Sequence, residues 1–138
     1  MVTVFLANGF EEMEALAPID LLRRAGVKVQ TAAVGTNPAM HGGKVVTGSH
    51  GVSVLCDIAA EEVCEEEMEM LVLPGGGLGT KNLNESPVVD RWLHYAAEKG
   101  IWIAAICAAP SVLGNKGLLD QKRAVAYPGA KWTEIFAP

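Results

Sequence analysis

Cysteine is scarce in this chain, and none of its three cysteines, Cys56, Cys64 and Cys107, forms a Cys-x-x-Cys pair. An odd count without paired spacing excludes a disulfide framework and a zinc knuckle, and it fits reduced thiols in a reducing compartment. Positive charge is also short: 11 Lys and Arg face 16 Asp and Glu, for a formal net charge of −5 with no basic stripe. Specific nucleic-acid binding is therefore not expected. No apolar run approaches the length of a membrane span, and the N-terminus passes into Val2–Ala7 without a basic region or a cleavage site. The expectation is a soluble, cytoplasmic protein with no membrane partner.

What is present is a core-forming chain of 138 residues, half of them hydrophobic, enough for one α/β domain over residues 1–138. Val2–Ala7 reads as a strand and Glu11–Ala25 as a helix stopped by Gly26, with Pro18 assigned to a first turn or a local break. A second strand over Val27–Val34 leads into turn chemistry from Gly35 to Gly43. Short strands at Val45–Val46 and within Gly51–Asp57 suggest a hairpin. The acidic cluster Glu61, Glu62, Glu65, Glu66 and Glu67 reads as a solvated face.

Met70–Leu73 reads as a buried strand cut by the glycine loop Pro74–Gly79. Ser86 caps a helix with Pro87 at its first position, and Val88, Val89, Trp92, Leu93, Ala96 and Ala97 keep an apolar stripe until Gly100. Ile101–Ile106 then reads as a buried parallel strand, Ala108–Pro110 as a helix's first turn, Ala124–Tyr127 as a last strand and Ala130–Phe136 as a helical turn. Alternation of this kind predicts a mostly parallel sheet covered by helices on both faces, with ligands beyond the carboxyl ends of its strands. Glu14, the glycine loop and Cys107 all fall on that edge.

Each of the three carries two readings. Cys107 is either a small buried hydrophobe or, at a strand-to-helix corner resembling a nucleophile elbow, a thiolate favoured by free amides and the helix dipole. The glycine loop fails the P-loop pattern because Thr80 precedes Lys81, and fails the dinucleotide fingerprint because position 80 is not glycine. It is either a plain turn or a set of amides facing the thiol as an oxyanion hole. Glu14 is either one of three surface carboxylates at a helix start, with Glu11 and Glu12, or a buried protonated carboxyl that lowers the thiol pKa. Of the histidines, His94 lies off the apolar stripe, His41 lies in a loop and His50 near a strand start, so no Cys–His dyad is defined.

Taken together, Gly9-Phe-Glu-Glu-Met-Glu-Ala15, Pro18-Ile-Asp-Leu-Leu-Arg-Arg-Ala-Gly26, Val72-Leu-Pro-Gly-Gly76 and Ala104-Ala-Ile-Cys-Ala-Ala-Pro110 resemble the ThiJ/PfpI superfamily. The nearer resemblance is to the branch of the parkinsonism-associated protein deglycase and its bacterial relatives. It implies a flavodoxin-like sandwich, commonly a homodimer, working without metal or other cofactor. Cys107 would be the oxidation-prone nucleophile, Glu14 its protonated carboxyl partner, and the backbone amides of Gly76 and Ala108 the anion donors. Gly75, His50 and Tyr127 would stand around them. The implied activity is a cysteine-dependent glyoxalase or deglycase chemistry on small reactive carbonyls or glycated substrates. A redox-sensing or chaperone-like stress protein is the alternative, and a cysteine peptidase or amidase the weaker one.

Three departures from the family pattern stand out. Tyr127-Pro128 occupies the place where many members put a histidine before the proline, Ser49-His50 the place of an arginine beside a serine, and the chain ends at Pro138, ahead of the family's final strand and helix.

Overall fold

Six apolar and β-branched residues, all buried, make β1 (Val2–Ala7) the centre of a five-stranded sheet. The computed structural model describes residues 1–129. β2 (Val29–Val34) pairs with one side of β1 in register Val2 to Val29, and β6 (Met70–Leu73) with the other in register Val2 to Met70. β5 (Ile58–Ala59) lies outside β2 and β7 (Trp102–Ala105) outside β6, giving the order β5-β2-β1-β6-β7, parallel throughout. A separate antiparallel hairpin, β3 (Val45–Thr47) with β4 (Ser53–Leu55), matches the hairpin read from sequence.

The sheet is apolar on both faces because each face is covered. On one, α1 (Glu12–Arg24) buries Ala15 and Ile19 against Val2, Val4, Leu6 and Ala33, with Val46 of the hairpin joining them. The other face packs Phe5, Ala32, Leu71 and Leu73 under α2 (Gly77–Glu85), α3 (Pro87–Lys99) and the short α4 (Pro110–Asn115). α3 behaves as its pattern predicts: Ser86 Oγ accepts the Val89 amide, Pro87 opens the helix, Val89, Trp92, Leu93 and Ala96 are buried, and Gly100 closes it at φ 70°. This is the mostly parallel α/β sandwich expected.

Several expectations are corrected. Pro18 lies inside a continuous α1, because the one amide it removes leaves the flanking ladder intact and the first turn's acids and last turn's arginines complement the dipole. α2 begins inside the glycine loop, where the sequence pattern announces no helix, and Gly79 packs so close to Phe10 that no larger residue fits. β5 is too short to leave a periodic signal. β7 is an edge strand rather than a buried one: Trp102 is 74 % exposed, and the described residues give it a single partner. Ala124–Tyr127 forms no strand, although the Tyr127 amide donates to the Cys107 carbonyl at 2.7 Å. The helical turn assigned to Ala130–Phe136 lies outside the described residues.

Candidate active site

Three chain reversals at the carboxyl edge of the sheet, after β1, β6 and β7, meet at one point. After β7 the chain runs through Ile106 into a turn closed by the Ala109 amide on the Ile106 carbonyl, 3.0 Å, and α4 begins at Pro110. Cys107 sits in this turn at φ 60°, the left-handed region that costs a side chain about 1–2 kcal/mol and holds it out of the strand-to-helix line. After β6, Gly76 takes φ 97°, and an added Cβ there would strike the Gly9 carbonyl. After β1, the Glu11 amide donates to the Gly75 carbonyl at 3.0 Å and starts α1.

Gly75 joins the three. Its amide donates to Glu14 Oε2 at 2.8 Å, and a Cβ on it would lie 2.7 Å from the Cys107 Cβ. The Glu14 carboxyl also hydrogen-bonds the Cys107 thiol, and the amides of Gly76 and Ala108 reach the same sulfur. Glu11, Glu14, Gly76, Gly77, Cys107, Ala108 and Tyr127 line the pocket that results, about 300 Å³. Glu14, Gly75, Gly76, Cys107, Ala108 and Tyr127 are thus brought together, while His50 stands behind Glu11, outside the lining.

The electrostatics differ from the sequence expectation. Burial pushes the Cys107 thiol up, the Glu14 carboxyl adds to this through its hydrogen bond and charge, and the Ala108 and Gly76 amides offset only part of it. α4, at six residues, offers little dipole to oppose them. The pocket thus sets the Glu14 carboxyl and the two backbone amides around one thiol.

A family model described as DJ-1/PfpI matches residues 1–135. The chain belongs to the DJ-1/PfpI family. It is 40 % identical over 128 residues to protein dj-1beta of Drosophila melanogaster, covering 93 % of this chain and 65 % of that one. A deglycase of Pyrococcus abyssi is 34 % identical over 131 residues, covering 94 % and 74 %. The solved structure of oxidized Toxoplasma gondii DJ-1 superposes with a TM-score of 0.86 at 37 % identity, covering 98 % of this chain and 70 % of that one. The chain spans about two thirds of the length of such relatives.

Beside the DJ-1/PfpI pocket lies an arrangement that sequence reading missed. Glu12, 8 % exposed, accepts the His50 amide on Oε1 at 2.7 Å, and its Oε2 lies 3.0 Å from His50 Nδ1 and 3.2 Å from the Ser49 hydroxyl. The Ser49 hydroxyl also reaches Glu11 Oε2 at 3.2 Å, and His50 Nδ1 lies 3.5 Å from Glu11 Oε1. Gly48 is required there, since a Cβ would run into the Glu12 carboxylate. Burial acts to raise the Glu12 pKa, but hydrogen bonds from the His50 ring and nearby amides outweigh it and hold the carboxyl at about 2. The same partner raises the His50 pKa above its ordinary value, helped by the charge of Glu11.

The donor atoms of Glu11, Glu12 and His50 lie within 4.8 Å of one another, but these oxygens are already occupied by N–H and O–H donors, which makes the group a clasp between α1 and the hairpin turn. The sequence signal for it was the density of carboxylates in Glu11-Glu12-Met-Glu14, of which only Met13 faces outward. His94 is exposed on α3 and His41 on a surface turn, so no histidine among the described residues lines the Cys107 pocket.

Proposed function

We propose that this chain carries a cysteine-dependent glyoxalase or deglycase activity on small reactive carbonyls, methylglyoxal or its adducts, with an oxidation-sensitive nucleophile. The observation that supports it is the convergence of the Glu14 carboxyl and the Gly76 and Ala108 amides on Cys107 in an open pocket. Sulfur adds to the aldehyde carbon, its proton passes to Glu14, and the carbonyl electron pair becomes an oxyanion held by the two amides. Glu14 passes that proton to the oxygen of the neighbouring carbonyl, and the freed carboxylate then moves the hydrogen of the aldehyde carbon to the neighbouring carbon as a proton while the oxyanion re-forms a carbonyl, giving a 2-hydroxyacyl thioester. Water cleaves that thioester to the hydroxy acid and restores the thiol, so no oxidant or reductant is consumed. The name of the Pyrococcus relative agrees with this class of chemistry.

The test is methylglyoxal turnover by the wild type and by Cys107→Ser. Turnover should fall to the uncatalysed rate in the variant, and turnover that survives would refute the assignment.

A second reading, a redox sensor, is favoured by the oxidized state of the Toxoplasma relative and by the same two amides, which suit a sulfinate as well as an oxyanion. Mild peroxide should then add two oxygens to Cys107 before it modifies the exposed Cys64. The peptidase reading has no histidine in the pocket among the described residues to support it. Self-association belongs to the proposal too, supported by Met13 and Leu21, which are 74 % and 65 % exposed on the outer side of α1.

A further inference from the structure

The Cys107 pocket contains a second carboxylate that the chemistry above does not use. Glu11 is the residue before α1, its amide is tied to the Gly75 carbonyl, and its side chain forms part of the pocket wall together with Glu14. The side chain is held from behind: the Ser49 hydroxyl donates to Oε2 at 3.2 Å and His50 Nδ1 lies 3.5 Å from Oε1. No Lys or Arg among the described residues lines this pocket or pairs with Glu11. The charged and titratable groups facing it are Glu12 and Glu14 from α1, His50 from the hairpin turn, Cys107 from the turn after β7 and Tyr127 from the final described segment.

We propose that Glu11, clasped by Ser49 and His50, is the specificity-determining residue of the pocket: it selects neutral or cationic carbonyl substrates over carboxylate-bearing ones, and His50 makes that selection pH-dependent. The inference rests on the reading that Cys107 receives the substrate carbonyl. Two fixed carboxylates on one wall repel an approaching anion and attract a cation or an amine-bearing adduct, most strongly at low ionic strength. A protonated His50 cancels one of the charges behind that wall. When His50 loses its proton the cancellation is lost, so exclusion of anions deepens as pH rises through its titration. The raised pKa of His50 places this above the ordinary imidazole range.

The test uses thiol chemistry, so that it reads pocket charge whether or not the protein turns over methylglyoxal. Iodoacetamide, neutral, and iodoacetate, anionic, are reacted with Cys107 at low salt, with glutathione as the reference thiol and mass spectrometry to assign the site. The thiolate fraction is common to both reagents and cancels in the ratio of their rates. In the wild type the iodoacetate-to-iodoacetamide ratio should lie below the glutathione ratio and fall further as pH rises. Glu11→Gln should raise the ratio about three- to tenfold with the iodoacetamide rate little changed, the scale of removing one nearby unit charge. His50→Gln should hold the ratio at its low, high-pH value at every pH.

A wild-type ratio equal to that of glutathione overturns the proposal. So does a Glu11→Gln variant in which both rates change equally, which is the signature of a structural role. A pH dependence that persists in His50→Gln overturns the part given to His50. Survival of methylglyoxal turnover in Cys107→Ser bears on the reaction alone, which keeps the two failures apart.

Discussion

Gly75 and Gly77 are two residues apart in one loop, both have ordinary backbone angles, and the structure predicts opposite fates for them on substitution by alanine. A Cβ at Gly75 would lie 2.7 Å from the Cys107 Cβ, 3.0 Å from the Ile106 carbonyl and against Glu14 Oε2, while a Cβ at Gly77 meets nothing within 4 Å. Gly75→Ala must push the Glu14 carboxylate away and so lengthen or break the 2.8 Å bond from the Gly75 amide. A hydrogen bond to a charged group is worth about 1.5–3 kcal/mol. Forced overpacking of a fitted contact costs about 1–3 kcal/mol. Because relief of the clash and loss of the bond are one movement, the two are not summed in full, and the expected loss is about 2–5 kcal/mol, a large share of the ~5–15 kcal/mol typical of a domain.

Gly77→Ala, at the first position of α2, should be neutral or stabilising by up to about 1 kcal/mol, through a stiffer unfolded chain. Urea unfolding at fixed pH separates the two through their midpoints, provided the slopes agree. The iodoacetamide rate of Cys107 against pH serves as the local readout, since displacement of Glu14 removes a group that raises the thiol. Equal midpoints for the two alanine variants, or a Gly75→Ala thiol that titrates as in the wild type, would refute the placement of Glu14 and Cys107 against Gly75.

Glu14→Gln removes the charge that helps to raise the Cys107 thiol, so its alkylation profile should shift to lower pH while methylglyoxal turnover falls; a profile that shifts upward, or does not move, excludes Glu14 as the neighbouring base. The Glu12–His50 pair should stabilise the fold most between about pH 4.5 and 6.5. Its Glu12 part is present above the ordinary pKa of 4.5 and lost as pH falls toward about 2; its His50 part is present below the ordinary 6.5 and lost as pH rises through the raised value. Melting-temperature differences between the wild type and His50→Gln should accordingly be larger at pH 5.5 than at pH 9. Asp57→Ala strips the acceptor from the amide and hydroxyl of Thr31, a residue 4 % exposed, and should cost about 1–3 kcal/mol in urea unfolding. Leu71→Ala, fully buried between sheet and helices, should cost about 2–5 kcal/mol by the same measure.

The order of strands and helices was legible in the sequence because it rests on local chemistry. Val2–Ala7, apolar but for Thr3, and Met70–Leu73, apolar throughout, read as strands covered on both faces, and Ser86, Pro87 and Gly100 mark the ends of α3 with residues chosen for those positions. Cys107 was legible as a corner because an apolar run ends there in helix-compatible residues, and its partners at Glu14 and Gly76 followed from the motifs and from the rule that parallel strands bring their carboxyl ends to one edge.

Tertiary structure decided what depends on several segments at once. The left-handed turn at Cys107 leaves no glycine to announce it. The start of α2 inside a glycine run follows from the close approach of Phe10, and Trp102 is an exposed edge residue among the described ones because of where its strand falls in the sheet. Burial and the facing carboxyl of Glu14 push the Cys107 thiol up, against what the corner alone suggests. The clasp of Glu12 with Ser49 and His50 joins residues 37 and 38 positions apart, and no local pattern distinguishes that buried carboxylate from its neighbours. Propensity and periodicity are properties of a few adjacent residues, whereas charge, burial and pocket shape belong to groups that only the folded chain brings together.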